Sequence, residues 1–311
     1  MKEVQSHMQI QADLSDLDAR LRIVLPPEYQ ESYEEVQPVS MGSAGLKFDG
    51  AGKVAWDEIW GSFCDLAMAG GPPHKGKLLE PAGKAEIDAQ PDRYRAVVEE
   101  ICRGIRMVSD VAVDVSPNPG WVRVMCSTAV MAEWLVRAIV MENVSAYVEG
   151  EVVELPAGPH YRLEKEIKNV VTAVAKTHHY FSGHLERGQQ RRIASLFAEA
   201  GAPLLQPSRP GEAGSADRIR AWKATASEKL TSATGLKVGG AEYAGWLGLE
   251  CASVRAAIWM MRALVVNNVL ARREDKVLYV AANPILDPVG DRLAGAVRRV
   301  FRLAVARGLS V

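Results

Sequence analysis

Four of the six histidines fall in two short segments: His74 in GGPPHKGK, and His178, His179 and His184 in KTHHYFSGH. An imidazole takes up and releases protons near neutral pH, so one well-placed histidine suffices for general acid–base chemistry, and several together suit a divalent metal. In the first segment Gly70-Gly71-Pro72-Pro73 stops a helix and forces a turn, presenting His74, Lys75 and Lys77 on a stiff loop. In the second, the apolar stripe Ile167, Val170, Val171, Val174 continues onto His178 and Phe181. That spacing puts His178 on the core side of a helix and His179 on its polar side. His74, His178 and His179 are therefore the candidate acid–base groups, with Lys75 and Lys77 as candidates to hold an anionic substrate. His74, His179 and His184 form the candidate metal set. His179 and His184 are five residues apart, which does not match ligands at i and i+4 on one α-helical face. No carboxylate stands at a diagnostic interval either, so acid–base work asks less of this sequence than a metal does.

Two further residue types repeat. Arg137 and Arg262 both occur in W-x-x-R-A within apolar surroundings, where a guanidinium must be paired. Each either bridges the two copies through carboxylates or carbonyls or clamps an anionic ligand with its bidentate fork; recurrence in both copies favours the structural role, and both join the substrate-binding candidates. Cys126 and Cys251 each stand between a strand and a helix N-terminus, a place that favours a thiolate, yet a cysteine ending an inner strand is also a small apolar core residue. DGAGK (49–53) does not satisfy the phosphate-loop pattern, and no GxGxxG, GxSxG or aromatic-basic RNA-binding strand occurs.

The elements that must position these residues come from an internal match. Sliding the chain by 125 residues lays GWVRVMCSTAVMAEWLVRAIVMENVSA (120–146) over GWLGLECASVRAAIWMMRALVVNNVLA (245–271), with 11 of 27 positions identical. Trp121/Trp246, Cys126/Cys251, Trp134/Trp259, Arg137/Arg262 and Asn143/Asn268 are among them, and DRYRA (92–96) falls over DRIRA (217–221) at the same offset. Each copy reads as helix, hairpin, helix, hairpin, helix. SPNPG turns the first hairpin, Glu149-Gly150 the second, and Ser127 or Thr128 caps the helix between them. Hairpins make antiparallel pairs, so the expected class is α+β, with the two copies packed as a pseudo-twofold pair. The expected division is an N-terminal extension over 1–56, a first repeat over 57–185 and a second over 186–311. In the extension LRIVL and VQPVSM read as short strands and LKFDGAGKVAW as a hairpin. The histidines and lysines of the first copy are missing from the second, where GAPLL keeps only the turn.

Composition narrows the function. Basic and acidic residues nearly balance, 37 against 38, which argues against a globally basic nucleic-acid binder. No apolar run approaches the ~20 residues of a membrane span, and four cysteines without a CxxC pair are no disulfide framework. The expectation is a cytoplasmic enzyme acting on a small polar or anionic metabolite through a histidine site in the first repeat, a divalent metal being its only candidate cofactor. Neither nucleic acid nor membrane is expected as a partner. The alternative is a non-catalytic module that binds a ligand or partner in the cleft between the repeats.

Overall fold

Alternation of side chains decides the sheets. The structure, a computed structural model, describes residues 2–26, 45–60, 77–209, 212 and 216–311. It separates into two compact units, one of Gln37–Gln190 and one of Met1–Val36 with Arg191–Val311. The expected 1–56 extension is thus divided between them.

In the unit of residues 37–190, α2 (Trp56–Trp60), α3 (Lys84–Ala89) and α4 (Pro91–Val108) precede the hairpin β1 (Ala112–Val115) and β2 (Trp121–Met125). Helix α5 (Ala129–Met141), the hairpin β3 (Tyr147–Glu149) and β4 (Val152–Pro156), and helix α6 (Lys168–His179) follow. Turns of π-helix, Leu163–Ile167 and Tyr180–His184, flank α6; α7 (Arg187–Ala198) begins in this unit and continues past residue 190 into the other. The sheet runs β1-β2-β4-β3, all antiparallel. Val113, Val122, Val124, Val153 and Leu155 share one buried face, while Trp121, Arg123, Tyr147 and Glu154 share the other. Helix α5 is apolar nearly all round and, Glu133 apart, buried from Met131 to its end, as a core helix must be.

In the other unit, α8 (Ala216–Thr234), β5 (Lys237–Val238), β6 (Trp246–Glu250), α9 (Val254–Val266), β7 (Ala271–Glu274), β8 (Val277–Ala281) and α10 (Asp291–Ala306) succeed one another. Its sheet runs β5-β6-β8-β7, again antiparallel. Helix with antiparallel sheet makes the class α+β.

Paired positions take up matching local structure in the two units. Thr128 Oγ1 accepts from Met131 N at the start of α5, and Ser253 Oγ from Ala256 N at the start of α9, each at 3.1 Å. Asn143 and Asn268 end those helices with φ of 57° and 64°, the left-handed conformation asparagine tolerates. Leu79 bridges to Val144 and Leu205 to Val269, both parallel.

One expectation fails. LRIVL is no strand: all but its last residue ends α1 (Lys2–Val24), which packs against α9 and α10 in its own unit. Leu14, Leu17, Leu21 and Val24 recur at helical spacing and are buried, so the apolar run belongs to a helix face. VQPVSM lies outside the described residues. The LKFDGAGKVAW hairpin is reduced to a single antiparallel bridge, Phe48 to Val54, around a turn in which Asp49 accepts from Ala51 N and Lys53 N.

Candidate functional site

His178 stands in the last turn of α6, which packs along α4. That packing brings in Asp110, just beyond the end of α4: His178 Nε2 lies 2.7 Å from Asp110 Oδ1. The imidazole is 12% exposed and the carboxylate 87%. Burial draws the His178 pKa below the usual imidazole range, and Asp110 opposes it by charge and by hydrogen bond. The ring is therefore predominantly neutral at pH 7. Ser182 Oγ is 3.3 Å from the same Nε2. A Ser-His-Asp triad needs serine and aspartate on opposite ring nitrogens, so this arrangement activates no serine.

The other histidines of the segment meet each other. His179 Nε2 and His184 Nε2 are 3.0 Å apart, with ring centroids at 4.8 Å. The π-helical turn over Tyr180–His184 explains it, since its wider winding brings i and i+5 together where an α-helix does not. Gln190 Nε2 fastens the turn by donating to Phe181 O and Leu185 O. Of the candidate metal set, two imidazoles converge, and His74 lies outside the described residues. Among the described residues no group of three His, Cys, Asp or Glu side chains is placed to hold a metal.

The remaining candidates separate. Lys75, like His74, is outside the described residues. Lys77 is exposed, two residues before the Leu79 bridge. Arg137 and Arg262 are buried in α5 and α9 at 0% and 1% exposure. Arg137 Nη1 donates to Glu133 O and to Glu133 Oε2, and burial lowers its pKa to about 10, which leaves it charged at neutral pH. Nη1 is thus held by the helix that carries it. Burial pushes the Cys126 and Cys251 thiols up to about 12, overriding the helix N-terminus behind them, so neither is a thiolate.

Sequence reasoning missed a buried ion pair and two sheet clusters. Lys176 Nζ pairs with Glu142 Oε2 at 2.9 Å, with the side chains 2% and 3% exposed. At the 125-residue offset stand Asn267 and Phe301, so only one unit carries this buried pair. On the second sheet, the buried Arg272 guanidinium lies 4.3 Å from the Tyr243 ring centroid and 4.1 Å from that of Tyr279, with Glu274 Oε1 2.7 Å away. The matching positions of the first sheet, Tyr147, Asn118 and Glu154, hold a hydrogen-bonded carboxylate instead: Ser116 Oγ and Asn118 Nδ2 donate to Glu154 Oε1 at 2.6 and 2.9 Å. Both sheet clusters depend on cross-strand register, with Arg272 opposite Tyr279 and Tyr147 opposite Glu154.

No protein-family model, curated protein or solved structure matches this chain. Among the described residues no helix is long and apolar enough to cross a membrane.

Proposed function

We propose that the chain is a tandem duplication of one α+β unit and works as a cytoplasmic enzyme on a small polar or anionic metabolite, with His178 as its general base. The 11 identities in 27 aligned positions and the common strand order of the two sheets support the duplication. The observation that carries the enzyme reading is the His178–Asp110 pair. A neutral imidazole that gives its Nε2–H to a carboxylate keeps its lone pair on Nδ1 and can take a proton there, while Asp110 stabilises the imidazolium that forms. At the 125-residue offset both members are lost, to Leu303 and Gly235, so one copy keeps the chemistry and the other the framework.

The experiment is an untargeted turnover assay. The full-length protein is incubated with a small-molecule extract, and depletion and appearance of metabolites are followed by mass spectrometry beside His178→Gln. The expected outcome is a substrate–product pair that changes with the wild type and not with the variant. Equal turnover by the variant, or no change with either, would overturn the enzyme reading in favour of a binding module.

A further inference from the structure

We propose that the cavity between α8 and the Val238–Gly248 segment is a binding site for a small aromatic anion. It belongs to one unit only and does not depend on the His178 reading. The cavity has a volume of about 640 Å³, within the ~300–1,000 Å³ usual for ligand pockets. One wall is a face of α8, carrying Ile219, Arg220, Lys223 and Ala224 at helical spacing; Tyr243, Trp246 and Val238 face it from the other side.

Glycines hold the second wall in place. Gly240 has φ 94°, and a Cβ there would come within 2.5 Å of the Tyr279 hydroxyl. A Cβ on Gly248 would collide with the Gly239 carbonyl, whereas the position 125 residues earlier is Arg123. Glycine at 248 therefore lets the segment lie across the outer face of the sheet. Gly239 N donates to Gly248 O at 3.1 Å and Ala241 N to the Tyr279 hydroxyl at 2.7 Å. Behind this wall Arg272 stacks on Tyr243 and Tyr279, with Trp246 at 5.2 Å, so the aromatic rings are fixed before any ligand arrives. A pre-ordered wall spares the ligand the entropy of ordering it.

The ligand class follows from the lining. Val238, 40% exposed, and Ile219 offer apolar surface to a body of one or two rings, backed by the largely buried Trp246 and Tyr243. Lys223 Nζ donates to Tyr243 O and so ties the two walls together with its positive charge at the cavity. Arg220 reaches Asp217 only through a 3.3 Å pair with both side chains more than three-quarters exposed, a contact that holds a guanidinium weakly. Against these two cations stands one lining carboxylate, Glu242. A carboxylate, sulfonate or phosphate on an aromatic ring meets both halves of the site.

The test uses the full-length chain and three probes of one shape: naphthalene-2-carboxylate, 2-naphthamide and 2-naphthylmethylammonium, titrated by calorimetry. The expected result is saturable one-site binding of the carboxylate, tighter than the amide by about tenfold and tighter still than the cation. Ala224→Trp fills the cavity from an exposed helix position and should weaken the carboxylate by at least about tenfold. Arg220→Glu should abolish the preference for the anion, Arg220→Lys should keep it, and His178→Gln should change nothing. Absence of saturable binding, equal affinity for the three probes, or full binding by an Ala224→Trp variant that melts like wild type would each overturn the proposal. Should Ala224→Trp fail to fold, the exposed Arg220 pair of variants decides alone.

Discussion

His178 is pulled two ways, by burial that disfavours its charge and by Asp110 that favours it, and burial is the larger effect. With a folded-state pKa below the unfolded value of about 6.5, the unfolded chain binds the proton first. The stabilisation is complete above that value and is lost as pH falls through the folded pKa. Asp110→Asn removes the opposing influence, so it should lower the His178 pKa further and steepen the loss of stability on acidification. His178→Gln should flatten it. Titration of the His178 ring signals by NMR, with thermal melts between about pH 7.5 and 5 spanning the imidazole range, reads both, and an upward pKa shift in Asp110→Asn would contradict the assignment. The sequence made His178 visible through its place on an apolar stripe. It could not show Asp110, 68 residues away and joined to His178 only by the packing of α4 on α6.

Elements decide where the polar groups of the core end up. Glu142 caps the C-terminal end of α5 and Lys176 reaches it from the last turn of α6. The two opposite charges offset each other at a place where both side chains are buried. Lys176→Met should cost about 3–5 kcal/mol by removing the cation that offsets the buried carboxylate, while Lys176→Met with Glu142→Gln should recover much of that, since a buried pair gains little over a neutral one. Denaturant unfolding of both variants measures the coupling; equal losses would mean that Glu142 does not rely on Lys176. The helix starts offer a milder test: Thr128→Ala and Ser253→Ala should each cost about 1 kcal/mol. Helices and hairpins were legible because their signals are local, namely periodicity, turn residues and caps. The π-helical turn was not. A five-residue spacing argued against two histidines meeting on an α-helix, and one changed turn reverses the conclusion. The Arg272 cluster was hidden for another reason, since Arg272 and Glu274 meet Tyr279 through strand register and Tyr243 comes in from the segment before β6.

At the scale of the whole molecule, the chain does not divide where the internal match begins. The internal match starts beyond α1, so it gives no information on where α1 packs, and five apolar residues such as LRIVL fit a strand as readily as a helix face. The leucines upstream settle it: Leu14 and Leu17 carry the stripe of Leu21 and Val24 back toward the N-terminus at helical spacing. Leu17 and Leu21 are each 1% exposed, and α1 covers α9 and α10 in the unit formed with residues 191–311, where Arg307 Nη1 also pairs with Asp18 Oδ1 at 3.0 Å. An N-terminal helix thus completes a core built about two hundred residues later in sequence, which makes that unit discontinuous. Leu17→Ala or Leu21→Ala should each cost about 2–5 kcal/mol through lost burial and the cavity left behind. The location of the damage is the sharper readout. Hydrogen exchange should show lost protection in α9 and α10, with α4, α5 and α6 protected as in the wild type, because local opening follows the packing unit and not the order of the chain. Lost protection centred on α4 to α6 would assign α1 to the other unit.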